Sequence, residues 1–284
     1  MKLSKIGKLH QVNSENKFIN NNYKDISQSL INLFNVCLHY IKLEMDVETL
    51  HSIYLRGSCL ELDINDKRIF DMDINVVFED ESTKRYIMKN GYKQKIIDKM
   101  NELYGFSIYP DIAYFSKPLW LSPYYSINKF YAKKMYGSED LSLTSLDINE
   151  VLLNYQQDIK YTYKICLSYV KQYKNYSAVW IMKPFYRIFG GLELLKKGMF
   201  SRSIYYCHNA LMKRYPQYSD SLEEISYLFL NPGDFDNFNF DKFEEFVRFI
   251  YSNIGGISRS EILNNYTEDF TFTPDMYSKG RLYK

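Results

Sequence analysis

Apolar and polar residues alternate along this chain at two different spacings, and the spacing changes near residue 147. In the first part, short apolar or aromatic runs at 53–55, 74–78 and 106–115 predict β-strands. Apolar residues spaced three and four apart predict two helices there, at 23–43 and 84–104. After residue 147 the helical spacing dominates, and it predicts helices at 148–174, 178–197, 201–214, 220–230 and 241–252.

Residues 122–141 link the two parts, and their pattern predicts an amphipathic helix that ends at Tyr136 and Gly137. A Ser/Thr/Asp segment at 142–147 then predicts a linker that caps the next helix. We therefore expect an α+β protein in which a small mixed sheet flanked by helices occupies residues 1–145. A C-terminal α-helical bundle is expected at 146–284.

The composition is that of a globular protein, with 46% hydrophobic and 25% charged residues. The net charge of +2 creates no global field that demands nucleic acid or a membrane as partner. Four cysteines lie far apart without a Cys-x-x-Cys pair, so neither a zinc site nor a disulfide framework is predicted. No apolar run has the length of a signal peptide or a membrane span, and a cytoplasmic location is expected.

The stretch with the clearest chemistry is a Gly-Ser turn followed by an acid pair on a strand. Gly57 allows a ligand to approach the backbone, and Ser58 offers a hydroxyl and an N–H to phosphate oxygens. Asp71 and Asp73 point to the same face of their strand, about 6.6 Å apart along it. Two carboxylates so placed can converge on one hard cation. The alternative is an acid pair that only forms a solvated strand face.

This arrangement resembles the signature of the polymerase-β-like nucleotidyltransferase superfamily. The resemblance implies a catalytic domain that uses Mg²⁺ and ATP or another nucleoside triphosphate, with Asp71 and Asp73 as metal ligands and Gly57 and Ser58 at the phosphates. Three features differ from the family pattern: a second glycine is missing, Phe70 replaces a serine, and twelve residues separate Ser58 from Asp71. A catalytically inactive binding module with this fold is therefore a further interpretation.

The same resemblance implies a third carboxylate on the strand beside the acid pair, and Asp111 falls in the matching place. It would serve as a metal ligand or as the general base for an acceptor hydroxyl. Pro110 directly before it favours an edge strand or a bulge. The alternative is an exposed aspartate in a Pro-Asp turn.

Residues 183–230 resemble the C-terminal helical domain of the aminoglycoside adenylyltransferases. The matching features are Arg187, the turn at Lys197 and Gly198, the helix end Arg214-Tyr215-Pro216, and Tyr227. Residues 183–214 carry seven basic residues against one acid, Glu193, and we expect Lys183 and Arg187 to reach the triphosphate. The basic residues are Lys183, Arg187, Lys196, Lys197, Arg202, Lys213 and Arg214. The alternative is a solvated basic face.

The resemblance favours a hydroxylated, aminoglycoside-like small molecule as acceptor, with tRNA or a protein hydroxyl as alternatives and no membrane partner. Acidic residues toward the end of the first domain favour a cationic acceptor; they are Asp111, Glu139, Asp140, Asp147 and Glu150. Arg202 and His208, with five residues between them, resemble the Arg-x4-6-His motif of helical ribonucleases, and we expect them to be structural. The spacing of the other histidines, including His10 and His51, predicts no Ser-His-Asp arrangement.

Overall fold

The computed structural model describes residues 3, 5, 7–20, 26–45, 47–61, 71–80, 90–168, 183–231, 234 and 238–253. By its internal contacts the chain divides into two compact units. The sheet unit is Lys17–Glu150, and the helical unit combines Met1–Asn16 with Val151–Lys284. The division into a catalytic domain at 1–145 and a helical bundle domain at 146–284 stays a prediction.

The strands are named in chain order. Strands β1 to β8 are His10–Gln11, Lys17–Ile19, Leu50–Arg56, Asp71–Phe78, Tyr109–Ser116, Lys133–Gly137, Ser145–Asp147 and Met199–Phe200.

The helices follow the same convention. Helices α1 to α9 are Gln28–Glu44, Asn90–Tyr104, Lys117–Leu121, Ser126–Phe130, Ile148–Ser168, Gly191–Leu195, Ile204–Arg214, Ser219–Leu230 and Phe240–Ser252. A π-helical turn, Tyr186–Gly190, runs directly into α6. This mixture of a small sheet and several helices confirms the α+β class, while the bundle arrangement of the C-terminal helices stays a prediction.

The main sheet of the sheet unit has the strand order β5-β4-β3-β6. Strand β3 pairs antiparallel with both β4 and β6, whereas β4 and β5 are parallel. A parallel pair needs a crossover connection, and α2 lies between these two strands in the sequence. Strand β5 is an edge of the sheet, which agrees with the prediction made from Pro110.

The two faces of this sheet carry different side chains because alternate residues of a strand point to opposite sides. On β4, the side chains of Met72, Ile74 and Val76 are fully buried in a core that α1 and α2 complete. Val77 faces the other way and packs against Trp120 of α3. Asp71 and Asp73, which stand an even number of residues before Val77, share its face of the strand.

Both helices that cover the sheet have ordinary ends. Helix α1 is capped by Ser27, whose Oγ accepts a hydrogen bond from Leu30 N at 3.2 Å. The sequence also suggests Asn22 as an N-cap, and this residue lies outside the described residues. Helix α2 stops before Gly105, which has φ +68° and donates its N–H to the Asn101 carbonyl, so this glycine forms the C-terminal cap that its position after the helix predicts.

The prediction of a helix over residues 122–141 is wrong. The segment instead forms α4 and then β6, whose residues Tyr136 and Gly137 pair with Ile53 and Ser52 of β3. The edge of β3 presents unpaired backbone groups, and their pairing outweighs the helical periodicity of the sequence. The close approach of the two strands leaves no room for a Cβ at Gly137, which has φ +104° and lies against the His51 carbonyl.

In the helical unit, β1 pairs with β8, so residues near the N-terminus are joined to residues near 200. Ser201 Oγ strengthens this link by donating to the Lys8 carbonyl at 2.7 Å. The ring of Phe185 lies 5.5 Å from that of Phe243 and 5.7 Å from that of Phe246, which joins the π-helical turn region to α9. Among the helices that the structure describes, none is both long and apolar enough to cross a membrane.

We predict that Gly137→Ala lowers the free energy of unfolding by about 2–4 kcal/mol, because the new Cβ meets β3 backbone and the backbone conformation disfavours L-residues. Urea denaturation followed by circular dichroism measures this loss. The matched control is Gly91→Ala in α2, where a Cβ meets nothing within 4 Å. It should be neutral or stabilise by up to about 1 kcal/mol. Equal midpoints for the two variants would contradict the strand assignment.

Candidate active site

Three aspartates from two parallel strands meet at one end of the main sheet. Asp71 and Asp73 belong to β4, and Asp111 of β5 is the register partner of Asp73. Each is half-buried, and one carboxylate oxygen from each lies within 4.8 Å of those of the other two. The structure therefore brings together the three residues that the sequence analysis selected as metal ligands.

This set of side chains fits a divalent cation of the Mg²⁺ type. Mg²⁺ prefers oxygen ligands at about 2.1 Å, so two of its ligand oxygens stand at most about 4.2 Å apart. The carboxylate oxygens of Asp71, Asp73 and Asp111 all lie within 4.8 Å of one another. Small side-chain rotations would close the triad around an ion, and the remaining coordination positions would be left to water or phosphate oxygens.

The turn after β3 contacts the acid cluster directly. Gly57 has φ +86° and begins a 3₁₀ turn, Ser58–Leu60. A Cβ at position 57 would overlap the Oδ2 atom of Asp73, so a glycine is needed here for reasons of both space and backbone conformation. The glycine expected near the site therefore lies against its carboxylates, and the half-buried Ser58 follows it in the turn.

Arg56, which precedes this glycine, was not selected by the sequence analysis. Its Nη2 lies 3.9 Å from Oδ1 of Asp73, and its Nε donates to Oδ1 of Asn75 at 3.3 Å. Arg56 and Asp73 are register partners on neighbouring antiparallel strands, so their side chains point to the same face. A guanidinium thus lies beside the acid cluster, and the antiparallel pairing of β3 with β4 places it there.

Cys59 lies under the same turn, but it does not have the properties of a nucleophile. Its thiol is buried and donates to the Arg56 carbonyl at 3.3 Å. Burial raises the pKa of the Cys59 thiol well above its usual range, and the negative charges of Asp73 and Asp71 raise it further. Because only a thiolate is reactive, Cys59 is a packing residue of the turn.

Lys183 and Arg187 belong to the helical unit, and their part in nucleotide binding stays a prediction. Arg187 lies in the π-helical turn and donates from Nε to the Arg202 carbonyl at 3.3 Å.

Arg202 precedes α7 rather than lying within it, whereas His208 is inside that helix. His208 Nδ1 lies 3.3 Å from the Tyr186 hydroxyl, and burial lowers the pKa of His208. The prediction that the Arg202–His208 pair is structural stays untested.

The structure also brings together a serine, a histidine and a glutamate that sequence spacing did not indicate. His51 Nδ1 lies 2.8 Å from Ser52 Oγ, and His51 Nε2 lies 3.4 Å from a carboxylate oxygen of Glu139. Glu139 also pairs with Lys117 Nζ at 3.1 Å. Ser52 is completely buried, so its hydroxyl is closed to a substrate. We interpret this group as a structural contact at the other end of β3 from the aspartates.

The comparison with solved structures supports a nucleotidyltransferase-like fold. Among solved structures, the chain is similar to a spectinomycin adenyltransferase from Enterococcus faecialis, solved with ATP and spectinomycin. The TM-score is 0.50 and the identity 13%, over 78% of this chain and 98% of the other. No protein-family model and no curated protein sequence matches the chain. At this identity the likeness shows the fold alone.

We predict that Gly57→Ala weakens divalent-cation binding by at least about tenfold, because the added Cβ displaces the Asp73 carboxylate. Titration with Mn²⁺, followed by the electron paramagnetic resonance signal of free Mn²⁺, measures this affinity. Gly105→Ala is the matched control: Gly105 has a similar φ of +68°, but a Cβ there meets nothing within 4 Å. Both variants should lose some stability, and only Gly57→Ala should lose cation affinity. A parallel loss in both would show a general effect of backbone strain.

Proposed function

We propose that this protein is a Mg²⁺-dependent nucleotidyltransferase that moves a nucleoside monophosphate, with AMP as first choice, from a nucleoside triphosphate to an acceptor hydroxyl. The observation that carries the proposal is the acid cluster of Asp71, Asp73 and Asp111 beside Gly57, in a chain with a nucleotidyltransferase-like fold. The adenyltransferase neighbour, solved with ATP, supports ATP as the donor.

Asp71 and Asp73 would hold the divalent cation, which supplies charge neutralisation at the phosphates when bound. Asp111 either completes the ligand set or accepts the proton of the acceptor hydroxyl. Gly57 allows phosphate oxygens to approach the turn after β3, where Ser58 offers a hydroxyl and an N–H. Lys183 and Arg187 are proposed to hold the phosphates that leave.

In the reaction, the acceptor oxygen forms a bond to the α-phosphorus while the bond from that phosphorus to the bridging oxygen breaks. The electron pair leaves with pyrophosphate, and the hydroxyl proton passes to a base, for which Asp111 is the candidate. Positioning of the two reactants and stabilisation of the developing charge provide the rate enhancement, because little covalent chemistry is left to the protein.

The acceptor is proposed to be a hydroxylated small molecule, a proposal that the spectinomycin in the neighbouring structure supports. The expectation of a cationic acceptor is weakened because two of the acids on which it depends already contact other groups of the protein. Glu139 is engaged by Lys117 and His51, and Asp147 accepts from Asn149 N at 2.7 Å at the start of α5. Asp111, Asp140 and Glu150 remain, and Asp111 is part of the acid cluster. A tRNA or protein acceptor and an inactive binding module are outcomes of the tests below.

We predict that Asp71→Asn and Asp73→Asn each lower transfer from a labelled triphosphate by at least about a hundredfold, since each removes a charged cation ligand at constant size. Thermal unfolding should show that both variants remain folded. Asp98→Asn, an exposed carboxylate on α2 that accepts from Gln94, serves as the matched control and should retain full activity. Near-normal transfer by either site variant would contradict the metal assignment.

We predict that transfer goes to small hydroxylated compounds rather than to RNA. A panel of spectinomycin, aminoglycosides and total tRNA, incubated with ATP and Mg²⁺ at 50 and 200 mM salt, decides this by mass spectrometry. A small-molecule product that persists at high salt supports the proposal. Labelling of tRNA alone, with a steep loss at high salt, would favour the RNA alternative because phosphate contacts weaken with salt. Cation and nucleotide binding without transfer to any acceptor would favour an inactive binding module.

A further inference from the structure

We propose that Arg56 is a phosphate-binding residue that competes with the cation for Asp73. When a divalent cation takes the Asp73 carboxylate, the Arg56 guanidinium exchanges this carboxylate for oxygen atoms of the triphosphate. The inference rests on the proposed function, and it assigns a role to a residue outside the sequence signature of the site.

The geometry of the contact supports an exchangeable partner. The Nη2–Oδ1 separation of 3.9 Å between Arg56 and Asp73 is longer than a charge-assisted hydrogen bond, which measures about 2.7–2.9 Å. Their side chains are 24% and 23% exposed, so solvent and ligands reach the pair. Asp73 also belongs to the acid cluster, where Arg56 and a cation would neutralise the same carboxylate.

Asn75 orients the guanidinium of Arg56 through a hydrogen bond. This asparagine is almost completely buried, and its Oδ1 accepts from Arg56 Nε at 3.3 Å. Within the part of the chain that the structure describes, its Nδ2 has no hydrogen-bond partner. An apolar side chain of similar size would avoid the cost of this buried amide group. We therefore assign a positioning role to Asn75: its contact with Nε orients the Nη side of the Arg56 guanidinium toward the acid cluster.

The position of Arg56 in the chain suits a phosphate ligand. It directly precedes Gly57, where the turn comes close enough to the aspartates to exclude any Cβ. In the register of the sheet, Asp73 of β4 lies between Arg56 of β3 and Asp111 of β5. Arginine binds phosphate with a planar fork of donors, which a lysine cannot reproduce.

If Arg56 and the cation compete for Asp73, removing the Arg56 charge changes cation affinity and nucleotide affinity in opposite directions. A purely structural role does not produce this pattern. In Arg56→Met the cation no longer competes with the guanidinium, so Mn²⁺ affinity without nucleotide should rise about two- to fivefold. The same variant loses charge-assisted hydrogen bonds to phosphate. Its affinity for an ATP analogue with a methylene group between the α- and β-phosphorus, in saturating Mn²⁺, should fall at least about tenfold.

The experiment measures Mn²⁺ binding by electron paramagnetic resonance and analogue binding by calorimetry, for the wild type, Arg56→Met and Arg56→Gln. The glutamine variant removes the charge but retains an amide that can donate to Asn75, and it should behave like Arg56→Met even if the latter folds poorly. Lys99→Met is the matched control, since Lys99 pairs with Glu102 on α2, and it should change neither affinity.

Tighter Mn²⁺ binding together with weaker analogue binding in the Arg56 variants supports the proposal. Wild-type Mn²⁺ binding that Asp73→Asn removes, with analogue affinity unchanged in the Arg56 variants, would overturn the role of Arg56 and leave the proposed function standing. A parallel loss of both affinities would do the same, because it indicates a structural role. A wild type without Asp73-dependent Mn²⁺ binding would overturn the proposed function and this inference together.

Discussion

Repulsion among three carboxylates is the constraint on which the sheet unit depends. Oxygens of Asp71, Asp73 and Asp111 within 4.8 Å of each other repel by about 3 kcal/mol per ionised pair at an effective dielectric constant of about 20. The backbone prevents the groups from separating. On β4 the intervening Met72 is locked in the core, so the strand cannot turn its acids away, and the parallel register holds β5 alongside. The cluster is thus held in place by packing on the opposite face.

The environment of the cluster lowers this cost in two ways. Gly57 brings backbone close without adding an apolar group, and Arg56 places a positive charge beside Asp73. A divalent cation would relieve the remaining repulsion far more strongly, because it carries two charges and reaches all three groups. The acid cluster is therefore compatible with the proposed function, in which a divalent cation binds there.

The sequence predicted the parts of the site that depend on local pattern. Alternation along one strand is enough to place Asp71 and Asp73 on one face, and resemblance to a known signature added Asp111. Arg56 and Asn75 were missed, since their contact follows from the pairing of β3 with β4, which periodicity does not reveal. Strand β6 was missed because its five residues, with two lysines and a tyrosine, also fit a helix; the edge of β3 decided the outcome. The contact of His51 with Ser52 and Glu139 likewise depends on tertiary structure.

The proposed function requires one divalent cation to bind between the two parallel strands, next to the nucleotide. Anomalous diffraction from crystals soaked in Mn²⁺ and a non-reactive ATP analogue tests it most directly. We predict a manganese peak within about 2.3 Å of carboxylate oxygens of Asp71 and Asp73, with phosphate density next to Gly57 and Ser58. Nucleotide density with manganese elsewhere, or a manganese ion that contacts neither aspartate, would contradict it.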